Sequence, residues 1–175
     1  MRLIRVSAAA AGLFFLVQTA FAQANPAISN EYSNEEIVRM IKKYKSVHSR
    51  DAVPSATLHQ KFQADFPKAR DVEWESNGEV YEVEFELKSG DCKAYYDAKG
   101  NLLMHVQEIY RSELPAVVKN AAENKYPKYK FEDIEKIRRG SEVFYKIEME
   151  RKSSDMEVKL LIGDDGAILK ESFDY

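Results

Sequence analysis

One feature constrains this chain more than any other: an ordered series of signals that occurs twice. An apolar-Pro pair, Val53-Pro54, opens one segment, and Leu114-Pro115 opens another. Proline suits the first turn of a helix, where its missing N–H would have no partner. Leu58, Phe62 and Phe66 then recur at helical spacing in the first segment, as do Leu114, Val117, Val118, Ala121 and Ala122 in the second. Both helices are expected to stop at an aromatic-Pro pair, Phe66-Pro67 and Tyr126-Pro127, because proline cannot continue the hydrogen-bond ladder.

Beyond each stop the hydrophobic period changes from 3.6 to 2. Val72 and Trp74 alternate with Glu73 and Glu75, and Asn77-Gly78 is a hairpin turn signal. Tyr81, Val83, Phe85 and Leu87 then alternate with Glu82, Glu84 and Glu86. Ser89-Gly90 leads into Cys92, Ala94 and Tyr96, and Asp97-Ala98-Lys99-Gly100 into a strand from about Leu102. The second segment repeats the order. Phe144-Tyr145 matches Val80-Tyr81, Ile147 and Met149 match Val83 and Phe85, and Ala167-Ile168-Leu169 matches Asn101-Leu102-Leu103.

The expected fold is therefore α+β: two tandem units, each a helix plus a four-stranded antiparallel sheet, with the helices on one sheet face. An N-terminal amphipathic helix precedes them. Ser33 and Glu36 have capping-box spacing, and Ile37, Met40, Ile41 and Tyr44 line one helical face over about 34–46. The units run over 53–110 and 111–175, and 23–52 holds a tail, this helix and a linker. Alternation points Tyr81, Val83, Phe85, Ile147, Met149, Val158 and Leu160 toward the helices. It points Glu73, Glu75, Glu82, Glu84, Glu86, Lys93, Tyr95, Lys146, Glu148, Glu157 and Lys159 toward a wet face.

Residues 1–22 read as a secretory signal peptide. Arg2 and Arg5 precede an apolar run centred on Leu13-Phe14-Phe15-Leu16-Val17, and Ala20-Phe21-Ala22 is a small-x-small cleavage pattern. Cleavage is expected after Ala22, with Ala24 the alternative, and places the chain in the periplasm or outside the cell. The remaining residues contain no apolar run of spanning length, so no membrane insertion is expected after signal removal. They carry 24 basic residues (26 less Arg2 and Arg5) against 29 acidic ones. That acidic balance argues against nucleic acid as a partner. Cys92 is the only cysteine, so no internal disulfide forms, and it reads as a buried small apolar residue.

No catalytic constellation can be assembled. His48, His59 and His105 fall in a linker, a helix and a strand without ligand spacing, and no nucleophile elbow or phosphate-cradling loop occurs. The Glu82, Glu84, Glu86 row projects from one strand face at roughly 7 Å steps, too straight for a calcium site. Asp164-Asp165-Gly166 lacks the downstream Glu of a calcium loop. No metal or other cofactor is expected, and the chain reads as a non-enzyme. The candidate partner-binding face comprises Glu82, Glu84, Glu86, Lys93, Tyr95, Lys146, Glu148 and Lys159, with Tyr95 the aromatic expected among the charges. An alternating surface of this kind suits a polar, steered, reversible interface with an envelope protein or peptide. The alternative is a small-ligand or metal-binding envelope protein.

The doubled series resembles the PepSY-like module, also described as like the β-lactamase-inhibitor protein. The resemblance rests on Val53-Pro54, Phe66-Pro67, Tyr81-Glu82-Val83-Glu84-Phe85 and Asp97-Ala98-Lys99-Gly100. In the second half it rests on Leu114-Pro115, Tyr126-Pro127, Tyr145-Lys146-Ile147-Glu148-Met149 and Asp164-Asp165-Gly166. It covers about 53–173. It implies a secreted or periplasmic two-lobed α+β protein. Inhibitor-type relatives grip a partner with the concave exposed sheet face, and propeptide-type relatives restrain peptidases. The inhibitor proper is stapled by disulfides, which a chain with one cysteine cannot form.

Overall fold

Each helix begins and ends on chemistry visible in its flanking residues. The computed structural model describes residues 26–151 and 156–174, and the segment read as a signal peptide lies outside them. Helix α1 (Asn34–Ser46) starts in a complete capping box: the Glu36 N–H donates to Ser33 Oγ at 3.3 Å, and the Ser33 N–H donates to the Glu36 carboxylate at 2.8 Å. Glu35 and Glu36 sit at its positive end and Lys43 and Lys45 at its negative end, which favours the helix dipole. Helix α2 (Ala56–Asp65) is capped by the Ser55 hydroxyl, so Pro54 lies one residue before the cap and not in the first turn as expected. In α3 (Ala116–Lys125), Pro115 itself is the N-cap. Both α2 and α3 close on the aromatic before proline, with Phe66 N–H donating to Phe62 O and Tyr126 N–H to Ala122 O.

Among the described residues nine strands follow chain order across one antiparallel sheet: β1 (Arg50–Asp51), β2 (Arg70–Ser76), β3 (Val80–Leu87), β4 (Gly90–Asp97), β5 (Leu102–Glu108), β6 (Tyr129–Arg139), β7 (Glu142–Arg151), β8 (Glu157–Gly163) and β9 (Ile168–Asp174). Two expectations change here. The linker contains a short strand, β1, which pairs Arg50 with Ser76 and Asp51 with Glu75. The two sheets are also one, because β5 pairs with β6 from Met104↔Arg139 to Glu108↔Glu135. A matching irregularity marks both halves. The β4–β5 register slips beyond Tyr95↔Met104, leaving Leu103 as an extra residue, and the β8–β9 register slips beyond Leu161↔Lys170, leaving Leu169.

The sheet is clad on both sides. Leu58, Phe62 and Phe66 of α2 pack on Val83, Phe85, Cys92, Ala94 and Tyr96, with Tyr81 and Trp74 at the margin. Val118 and Ala122 of α3 pack on Ile134, Ile147, Met149, Val158, Leu160 and Ile162. These strand residues share one face by alternation. On the opposite face Ile37, Ile41 and Tyr44 of α1 pack on Val80, Tyr95, Leu103 and Met104. Close approach fixes the start of α1 against the β6–β7 turn. Gly140 has φ +54, and a Cβ there would meet the Asn34 side chain at 2.0 Å. No described helix is long and apolar enough to cross a membrane.

Candidate binding cleft

Helix α1 lies mainly over the first half of its sheet face and touches the second half at the β6–β7 turn, and beside its C-terminal end a cleft opens. Its floor is apolar: Tyr95, Met104, Val106 and Ile137, the last two being cross-strand partners on β5 and β6. Tyr44, Lys45, Val47 and Ser49 form the helix-side wall, and Glu75, Glu82, Lys93, Glu135 and Lys146 complete the rim. The volume is about 510 Å³, within the range of sites that take a small ligand or a few side chains of a partner.

The residues expected on the binding face divide into three groups. Glu82, Lys93, Tyr95 and Lys146 line the cleft. Glu84 stands beside it, its carboxylate accepting from Lys93 Nζ at 2.5 Å. Glu86, Glu148 and Lys159 lie outside it: Glu86 is 3.7 Å from Arg70, and Glu148 bridges Lys146 at 2.8 Å and Lys159 at 3.6 Å. One of these expectations fails. Tyr95 lies on the predicted face but is only 2% exposed, because α1 covers it. Its ring meets Tyr44 edge-to-face at 6.0 Å, and Lys45 Nζ lies 5.7 Å from its centroid.

Burial and charge set the protonation of this site. Burial pushes the Glu82 carboxyl above its usual range, opposed by a hydrogen bond from the Tyr95 hydroxyl and by Lys93. Burial also pushes the Tyr44 phenol up to about 12 and raises that of Tyr95 further. Burial works to lower Lys93 and Lys146, but their carboxylate partners outweigh it, so both stay above the ordinary lysine value and fully charged. The hydrogen bond from Lys146 holds Glu148 below the usual carboxylate value. The cleft therefore presents fixed charges of both signs around a hydrophobic floor. That arrangement can recognise and orient a bound group.

Other candidate chemistry is structural. Cys92 is buried, and desolvation pushes its thiol up to about 12. His105 is buried beside Phe66, at 4.9 Å between ring centroids, and Phe85, at 6.4 Å. No group of three or more His, Cys, Asp or Glu among the described residues is placed to hold a metal. Sequence reasoning overlooked Tyr44, Val106 and Ile137 as site residues. Their signal was an apolar stripe on a face expected to be wet, matching the apolar face of α1.

This geometry defines a class: a helix-clad antiparallel sheet with an open, charge-rimmed face. Solved structures share the fold. A DUF2874 family protein from Bacteroides ovatus aligns with TM-score 0.61 at 18% identity, covering 70% of this chain and 89% of that one. A BLIP-like protein from Bacteroides fragilis gives 0.59 at 21%, covering 70% and 87%. A protein described as a putative periplasmic protein, from Bacteroides eggerthii, gives 0.62 at 14%, covering 70% and 90%. No curated protein matches significantly. The family model described as "Putative beta-lactamase-inhibitor-like, PepSY-like" matches residues 31–104 and again 104–170, and the chain belongs to that family.

Proposed function

We propose that this protein is a non-catalytic periplasmic or secreted binding module that holds a protein or peptide on the open sheet face, centred on the cleft beside α1. Its two repeats, over about 53–110 and 111–175, build one surface. The observation that carries this reading is the cleft itself: Met104, Val106 and Ile137 form an apolar floor ringed by Glu82, Glu135, Lys93 and Lys146. Such a surface gains from burying its floor, while its fixed charges set partner orientation and on-rate. The inhibitor-like family and the periplasmic description of a relative support the same reading.

Crosslinking of the mature protein in an envelope extract, read by mass spectrometry, tests it. One protein joined through Lys93 or Lys146 is the expected result. The double variant Lys93→Glu/Lys146→Glu should lose that partner while keeping its fold by circular dichroism. A folded double variant with unchanged affinity would remove this face from consideration.

A further inference from the structure

Carboxylate faces carboxylate repeatedly on the α1 side of the sheet. Asp51, Glu75 and Glu82 oppose one another across three strands, Glu73 opposes Glu84, and Glu86 opposes Asp91. Farther along the sheet Glu108 opposes Glu135, Asp133 opposes Glu148, and Glu150 opposes Glu157. Among the described strands no lysine or arginine directly opposes another. Like charges set directly across a ladder are destabilising, so this face carries a repulsion that an incoming cation would relieve.

The unanswered charge lies where the cleft ends. Past Val106 the cleft runs on into a recess of about 190 Å³, with which it shares Lys93, Val106 and Glu135. Asp91, Glu108 and Asp133 line that recess, and none of their side chains has an ion-pair or hydrogen-bond partner among the described residues. The nearby lysines are already engaged: Lys93 by Glu84 at 2.5 Å, and Lys146 by Glu148 at 2.8 Å and Glu135 at 3.2 Å. Asp91 and Glu108 are exposed and Asp133 is half-buried, so a visiting group can reach all three.

We propose that the cleft and its recess receive a basic segment of a partner protein. The segment seats an aliphatic side chain on Met104, Val106 and Ile137 and sends a lysine or arginine between Asp91, Glu108 and Asp133. Val106 and Glu108 are two residues apart on β5, about 7 Å, a step that an extended segment matches with its aliphatic residue at i and its basic residue at i+2. This rests on the open-face reading above and names the partner's chemistry. Lys93 and Lys146 hold Glu84, Glu135 and Glu148 in place, so reversing both crowds like charges along the rim. That double variant therefore tests the face, not the partner's charge.

Three labelled peptides read the charge in fluorescence anisotropy against the mature protein. One carries leucine and lysine in that spacing, one has glutamate for lysine, and one has serine for leucine. The first should bind at least about tenfold more tightly than either of the others, and added salt should weaken it. Asp91→Asn/Glu108→Gln/Asp133→Asn should weaken the first peptide about tenfold or more. It should do so without lowering the urea midpoint, because it removes opposed charges. Equal binding of the first peptide and either control, binding of none, or full affinity in the folded triple variant would overturn the proposal. A lowered urea midpoint would overturn it too, by showing that these carboxylates serve the fold. So would self-association of the mature protein that the triple variant abolishes, since the exposed Arg39 and Lys42 of a second copy would then be the occupant. Each of these outcomes leaves the open-face reading standing. That reading falls separately, with a folded Lys93→Glu/Lys146→Glu variant of unchanged affinity.

Discussion

The rings of Tyr44 and Tyr95 meet edge-to-face, 6.0 Å apart at 77°, and this contact joins α1 to the sheet face that alternation alone would leave in water. Aromatic pairs in this geometry contribute about 0.5–1.5 kcal/mol beyond the area they bury. A double-mutant cycle with Tyr44→Ala and Tyr95→Ala, measured by urea denaturation, should return a coupling of about that size. Tyr95→Ala alone should cost about 3–5 kcal/mol, as large buried aromatics do. Strictly additive single variants would show that the ring contact carries no energy of its own.

Helix α1 makes its own cap, so it can be loosened selectively. Ser33→Ala removes the acceptor for the Glu36 N–H and should cost about 1 kcal/mol. Amide hydrogen exchange should quicken across 34–46 while amides in α3 keep their protection. Uniform acceleration through α3 would mean that α1 unfolds only with the whole sheet.

His105 makes stability depend on pH. Burial, with Arg138 and Lys136 adding like charge, lowers its pKa from 6.5 to about 4. The unfolded chain therefore takes up this proton first. Stability is complete above about pH 6.5 and is lost as pH falls toward 4, by up to about 3 kcal/mol from this group. Its neighbours Phe66 and Phe85 can accept another aromatic, so His105→Phe should flatten the stability profile between pH 6.5 and 4 relative to wild type. The carboxylates titrate in both proteins and cancel in the difference. Parallel profiles would show that His105 is not the group responsible.

Cys92 should resist alkylation by iodoacetamide at pH 8 in the native protein and react once the chain is unfolded in guanidinium. Its thiol is buried, and a pKa of about 12 leaves almost no thiolate. Prompt modification of the folded protein would require an opening of the α2 side of the sheet.

Much of this architecture was legible in the residues. Phe66-Pro67 and Tyr126-Pro127 stop their helices, Asn77-Gly78 turns β2 into β3, and alternation assigns Val83, Phe85, Ile147 and Met149 to the helix side. Tyr95 shows where that logic ends. A period of two says which side of a sheet a residue occupies, not what lies on that side, and nothing in β4 announces that α1 will settle there. Val80 and Leu103 were better clues, being apolar on the same side. Strand β1 escaped notice because Arg50-Asp51 is polar and short, and becomes a strand only through its pairing with β2. The cleft needed three separate pieces of chain, the end of α1, β2–β5 and β6–β7, and their meeting depends on the β5–β6 pairing, which is set by tertiary packing.

That pairing also separates ancestry from mechanics. Both family matches meet at residue 104, which falls inside β5, a strand hydrogen-bonded to β4 on one flank and β6 on the other. The seam between the copies is thus an interior strand, hydrogen-bonded on both flanks. Scissors applied there would not release two modules; they would leave two raw sheet margins, each with a row of backbone groups seeking a new partner. The repeat is a unit of descent, while the sheet it helps to build spans both copies.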